Sequence, residues 1–215
     1  MLRRIQTGEW PVGKPIPAER TLITELNVSR IALREALGML RSLGVLDTSH
    51  GRNSIVRQVG TELLDRIVPL ILSLEPVSGF HQVFEMRLAI EVPAAAPAQR
   101  RTSEDLAKLE ALAVEYALQD SVEIDHYPRT DLEFHLQIAR AAQNPLFTAM
   151  LNVISRYVIA GQQQSWGSSR PIAWDRAKRA HFAICEAIRD RDANRARVEM
   201  EAHLRYTATL VPANR

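Results

Sequence analysis

Apolar positions follow two kinds of pattern along the chain. Leu33, Ala36, Leu37, Leu40 and Leu43 recur at helical spacing, which predicts an amphipathic helix with one buried stripe. Ser29 stands just ahead as a helix N-cap, because its side-chain oxygen can accept a free N–H of the first turn. Upstream, Pro17 suits a first helical turn, and residues 18–26 continue as a short helix until Asn27-Val28 interrupts it. Beyond Gly44, residues 45–48 and 54–57 predict two short strands around a His50-Gly51-Arg52-Asn53 turn. Two short helices, a tight turn and a hairpin make a winged helix-turn-helix.

From Thr61 the pattern is helical nearly throughout, with helices near 61–74, 79–99, 103–119, 129–142, 145–163, 172–190 and 193–210. Breaks fall at Glu75-Pro76, Arg101-Thr102, His126-Tyr127-Pro128, Asn144-Pro145, Gly167-Ser168-Ser169 and Asp190-Arg191-Asp192. Pro93 and Pro97 predict a kink or early end in the second of these helices. The expected fold is therefore mainly α. A winged helix-turn-helix with a small β wing occupies residues 1–57, a linker 58–61, and an all-α antiparallel helical bundle 62–210.

Composition narrows the class. The 215 residues are 46% hydrophobic and 24% charged, the balance of a globular protein. Cys185 is the sole cysteine, so no intramolecular disulfide framework exists and a reducing compartment is favoured. The first residues lack the apolar core of a signal peptide. The dense apolar stretch from Ile67 to Leu74 is far short of the roughly 20 residues that span a bilayer. A cytoplasmic protein without a membrane partner is expected. The net charge of +2 hides an asymmetry: residues 1–57 carry nine Lys/Arg against five acids, and the remainder is mildly acidic. A basic head on an acidic body points to a polyanionic partner for the head alone.

Arg30, Arg34 and Arg41 fall within about 40° of one another at 100° per residue, on a stripe separate from the leucines. That placement fits a recognition helix in the DNA major groove, with the hairpin reaching phosphate or the minor groove. The run Pro17-Ala18-Glu19-Arg20, then Val28-Ser29-Arg30, Leu33-Arg34-Glu35-Ala36-Leu37, Leu40, Leu43-Gly44 and His50-Gly51 resembles the DNA-binding domain of GntR-type bacterial transcription regulators. The resemblance implies DNA contacts from Arg20, Ser29, Arg30, Arg34, His50 and Gly51. Ile31 departs from the small polar residue common there, and the first helix reads as truncated.

In the bundle, the informative residues are polar ones on apolar stripes. Asp131 and His135 are spaced i, i+4 and share a face. His181 belongs with Ala177, Ala180, Ile184 and Ile188, and His203 with Ala196, Met200, Leu204 and Thr207. Both histidines lie eleven residues from Asp192, the expected hairpin turn, so an antiparallel pair puts them at one level, roughly 16 Å from it. Three imidazoles and a carboxylate facing one core suit a divalent metal such as Zn, Ni, Mn or Fe. His81 and His126 have no such partners and read as structural. Arg87 sits on an apolar stripe with Val83, Phe84, Leu88 and Glu91. It is either neutralised by Glu91 at i+4 or free to receive a carboxylate ligand.

Residues 84–91, Asp131-Leu132-Glu133-Phe134-His135, Asn144-Pro145-Leu146 and the last two helices resemble the all-helical effector domain (FCD) of the FadR subgroup. The resemblance implies that Asp131, His135, His181 and His203 bind the metal and that a small organic acid docks on metal and Arg87. It further implies a homodimer on a palindromic double-stranded operator, acting as a ligand-responsive regulator, here expected to be a repressor. A metalloenzyme acting on a small carboxylic acid is the alternative, because an open metal position can activate water. It lacks an evident general base and any signature such as HExxH.

Overall fold

The computed structural model describes residues 1–47, 53–58, 60–61, 63–74, 79–96, 101–118, 127–165 and 170–210. Side chains are described over the same ranges apart from 69, 72–74, 79–80, 127–128, 156, 160–165 and 170. Contacts divide the chain into two compact units, Met1–Ile67 and Val68–Arg215.

The first unit holds α1 (Leu2–Gln6), α2 (Glu19–Leu26), α3 (Arg30–Ser42), β1 (Leu46–Asp47) and β2 (Ile55–Val56). Ser29 caps α3 as its residue type demands: its Oγ accepts the Ala32 N–H at 3.1 Å. Asn27 takes a left-handed conformation, φ 49°, and so ends α2 sharply enough for α3 to start three residues later. Leu22, Leu33, Leu37 and Leu40 bury against Trp10, Ile16, Val45, Leu46 and Val56. Leu43 is an exception to the predicted stripe: it is the C-cap of α3 and 37% exposed.

The strands pair antiparallel with Leu46 opposite Val56 and Asp47 opposite Ile55. Each is shorter than the sequence pattern suggests. A third segment joins them. Gly13 donates to the Val56 carbonyl at 2.8 Å, Val56 donates to the Lys14 carbonyl at 3.0 Å, and Ile16 donates to the Ser54 carbonyl at 2.9 Å. Gly13 has φ 79°, where a side chain would be strained. This pairing holds the chain extended as far as Ala18, so α2 begins at Glu19 and Pro17 precedes the helix instead of opening it.

α4 (Leu64–Leu74) runs across the boundary between the units. The second unit continues with α5 (Gly79–Ala95), α6 (Ser103–Leu118), α7 (Tyr127–Ala141), α8 (Pro145–Ser165), α9 (Arg170–Arg189) and α10 (Ala193–Thr209). α5 packs on α7, α8 and α10, α6 on α7 and α9, and α9 on α10. Pro93 lies in the last turn of α5, and the helix ends two residues later. Arg101 finishes that end by donating to the Ala94 and Ala95 carbonyls at 2.8 and 2.9 Å. α6 opens on a reciprocal cap, Thr102 Oγ1 accepting the Asp105 N–H and Asp105 Oδ2 accepting the Thr102 N–H, both at 3.1 Å.

The α9–α10 hairpin turns through Arg191, φ 58°, and Asp192 caps α10 by accepting the Arg195 N–H at 2.9 Å. The core is built from small and branched side chains of α5, α6, α7, α9 and α10, among them Ala94, Leu109, Ala113, Phe134, Ile184, Met200 and Leu204. Cys185 belongs to it; burial and the nearby Glu110 push its thiol up to about 12, so it packs as a neutral group. Among the described residues no helix is long and apolar enough to cross a membrane.

Candidate functional site

Four helices deliver polar groups to one buried point in the second unit. α7 supplies Asp131 and His135 one turn apart, α9 supplies His181 and α10 supplies His203. All four are buried, and one ligand atom from each lies within 4.8 Å of the others. His181 Nε2 stands 3.3 Å from Asp131 Oδ1, and His135 Nε2 stands 3.9 Å from the same oxygen. His135 Nε2 and His203 Nε2 face each other at 3.2 Å. The fourth helix, α5, contributes Arg87 and Glu91, which are 0% and 1% exposed.

The hairpin register explains the convergence of the last two histidines. With the turn at Asp192, the rings of His181 and His203 come to 5.1 Å between centroids. Phe134 stacks on His181 at 4.1 Å and Tyr116, from α6, tilts against it at 4.6 Å. These two fully buried aromatics wall the imidazole and limit its rotation. Tyr116 carries no sequence signal beyond its place on an apolar stripe, so its role against His181 shows only in three dimensions.

Burial favours the neutral forms of His181 and His203, while neighbouring groups keep the carboxylates of Asp131 and Glu91 ionised. Burial holds His181 below the usual histidine range, against the pull of Asp131. Burial and the neighbouring His181 and His135 hold His203 well below that range. Burial alone would raise the Asp131 carboxyl, but contact with His181 and the fields of His135 and His203 outweigh it and lower it. Burial would raise Glu91 too; the Arg87 guanidinium and the His135 ring bring it down to about 2. Neutral imidazole and ionised carboxylate are the ligand forms that a metal requires.

The residues present fit a divalent ion. The donor set is three nitrogens and one oxygen; Nε2 of buried His181 faces Asp131, and its Nδ1 has no hydrogen-bond partner among the described residues. An orphaned polar atom is expensive inside a protein unless something binds it. The cluster can therefore hold a metal. Arg87 meets both readings of the sequence at once. Its Nε donates to Glu91 Oε1 at 2.6 Å, while its two terminal nitrogens are buried with no hydrogen-bond partner among the described residues. Arg87 also bears on the charge of His181 and His203, so it stands beside the cluster.

In the first unit Arg20, on α2, and Ser29, Arg30 and Arg34, at the start of α3, are all exposed. Arg34 Nε is 3.9 Å from Glu19 Oε2, a loose pairing that leaves the guanidinium in solvent. Ile31 lies among them, 72% exposed. Arg41, on the same stripe, turns instead toward the hairpin and donates to Ser54 Oγ at 3.4 Å. His50 and Gly51 lie outside the described residues.

Comparison with known proteins decides the family. Residues 82–206 match the FCD domain, and residues 1–56 match the bacterial regulatory proteins of the gntR family. The chain belongs to the GntR family, with an FCD domain. A Bacillus subtilis relative, the HTH-type transcriptional regulator LutR, is 26% identical over 93% of this chain and 92% of its own length. The HTH-type transcriptional repressor NanR of Cronobacter sakazakii is 28% identical over 93% of this chain and 78% of its own length. The solved structure of Streptococcus agalactiae GntR superposes with a TM-score of 0.74 at 26% identity, covering 97% of this chain and 95% of that one. This GntR-family member is thus a transcription regulator and not an enzyme, which removes the metalloenzyme alternative.

Proposed function

We propose that this GntR-family regulator is a metal-dependent repressor released from its operator by a small organic acid. The observation that carries the proposal is the buried cluster of Asp131, His135, His181 and His203 beside an arginine whose terminal nitrogens have no hydrogen-bond partner among the described residues. Those four residues would hold the ion, with zinc, nickel, manganese and iron all compatible with imidazole and carboxylate donors. A bound ion would supply a Lewis-acidic positive charge, and an ion that accepts more than four donors would leave room for a chelating oxygen. The Arg87 terminal nitrogens present a planar fork that suits a carboxylate.

Residues 1–57 would read DNA and residues 62–210 would sense the ligand. In the head, Arg30 and Arg34 offer guanidinium forks to guanine edges or phosphate, and Arg20, Ser29, His50 and Gly51 complete the contact set. One head covers half of a palindromic operator, so the working form is a homodimer, acting in the cytoplasm. A ligand gripped by Arg87 on α5 and by the cluster on α7, α9 and α10 draws on four helices, and α5 packs directly on α10. Its differential affinity for two arrangements of those helices sets how strongly it shifts operator binding.

The test is a thermal-shift screen of divalent metals and small carboxylic acids, with each hit retested for release of a duplex selected in vitro for binding. Stabilisation by acid only when metal is present, together with release of the duplex, supports the proposal. A protein that binds neither metal nor acid refutes it.

A further inference from the structure

Ile31 points straight out of the head. At 100° per residue it stands about 120–180° from Leu33, Leu37 and Leu40, the side chains that bury α3, and it is 72% exposed. Arg34 and Arg30 flank it about 60° and 100° away on one side, and Glu35 about 40° away on the other. All three are exposed.

Single exposed apolar residues are ordinary on a protein surface, but Ile31 shares its line with a second oddity. Gly38, seven residues on, falls within about 20° of it. Glycine inside a helix is destabilising relative to alanine. A methyl group placed on Gly38 would meet no described atom within 4 Å, so packing among the described residues gives no reason for glycine there. Close approach of a surface from outside the chain gives one.

Glu35 indicates which part of a DNA duplex that surface is. A phosphate repels a carboxylate, whereas the amino group of a base in the major groove donates to one. The line from Ile31 to Gly38 runs between Glu35 and the arginines, so it meets base edges. The apolar group on those edges is the 5-methyl of thymine. Ser29 sets the start of α3 by accepting the Ala32 N–H at 3.1 Å, and a β-branched side chain in a helix strongly prefers one χ1 rotamer. The Ile31 methyls are thus held in place in advance, and little side-chain freedom is lost on contact.

We infer that Ile31 is a specificity-determining residue that packs on the 5-methyl group of a thymine in the major groove of each operator half-site. This rests on the reading of α3 as the recognition helix.

The test uses the full chain and a duplex selected in vitro for binding. Each thymine is replaced in turn by deoxyuridine, which removes the methyl group and keeps every hydrogen-bonding group of the base. Anisotropy at fixed salt reads the affinity. Burying one methyl is worth about fourfold in affinity, and wild type should lose about that much at one thymine position in each half-site. Ile31→Ser should bind the thymine and deoxyuridine duplexes equally at that position, and Ile31→Val should keep the discrimination.

Wild type indifferent to every replacement overturns the inference, whatever the variants do. Equal losses in wild type and Ile31→Ser at the same thymine overturn it as well, because another residue then reads the methyl. Undiminished duplex affinity in a double variant, Arg30→Ala with Arg34→Ala, overturns the underlying reading of α3 instead.

Discussion

His181 and His203 lie eleven residues on either side of Asp192, and their rings meet at 5.1 Å between centroids. The antiparallel hairpin of α9 and α10 converts equal distance from a turn into a shared level, and α7 closes the cluster with Asp131 and His135. Replacing either hairpin histidine removes one of the four donors that the described residues bring together. His181→Ala or His203→Ala should lower metal affinity by more than the 10–100-fold typical of losing an outer partner. Equilibrium dialysis with metal analysis reads the loss, and undiminished metal content in both variants would count against the site.

Arg87 is fully buried; among the described residues its Nε donates to Glu91, its guanidinium lies over the Phe84 ring and its terminal nitrogens have no hydrogen-bond partner. Arg87→Lys keeps a positive charge but loses the planar fork. It should keep metal binding within a few-fold and duplex binding unchanged, while the acid that releases wild type loses about tenfold or more in potency. Titrating the acid into a fluorescent protein–duplex complex measures this directly. Equal potency in the variant would show that the ligand carboxylate does not rest on Arg87.

On the exposed face of α3, Arg34 is held among the described residues by the loose 3.9 Å approach of Glu19. Arg34→Ala should weaken binding to a selected duplex by about 1–3 kcal/mol, roughly fivefold to 150-fold, if it reaches a base edge. Metal content should stay as in wild type, because the change lies in the other unit. Anisotropy at fixed salt, run beside metal analysis, separates the two effects.

The chelator-treated protein should lose stability as pH falls from 7.5 to 5.5. Burial lowers His181 and His203 in the folded state, whereas the unfolded chain titrates near 6.5. Below that pH the unfolded state binds more protons, so stability falls as pH falls, by at most about 1.4 kcal/mol per pH unit for each histidine. The lowered carboxyls of Glu91 and Asp131 act only below their unfolded values, under about pH 4.5, and do not contribute in this window. His203→Gln should flatten the slope of melting temperature against pH; an unchanged slope would assign the acid sensitivity elsewhere.

Arg101 ties the end of α5 to the start of α6 through the Ala94 and Ala95 carbonyls. Burial draws its guanidinium down to about 10, against the pull of Asp105, so it stays charged at neutral pH. Arg101→Ala should cost about 1.5–3 kcal/mol, the usual worth of a charged hydrogen bond. Urea denaturation checks it.

Local rules made much of this protein legible in the sequence. The helical period placed every helix of the bundle to within a few residues, and Ser29, Asn27 and Asp192 marked termini because capping depends on neighbours in the chain. The basic head, the stripe of arginines and the polar residues on apolar faces followed from composition and spacing, and matched hairpin distances brought His181 to the level of His203. What the sequence could not decide were contacts between elements distant in the chain. Residues 13–16 pair with β2 and delay α2, because extended backbone takes whatever edge tertiary packing offers it. Tyr116 walls His181 from a helix with no polar signal. Glu91 has Arg87 one turn away, as spacing allows, and also touches His135, which only the packing of α5 on α7 can bring within reach. Periodicity fixes which face a residue occupies; the relative placement of helices fixes what that face meets.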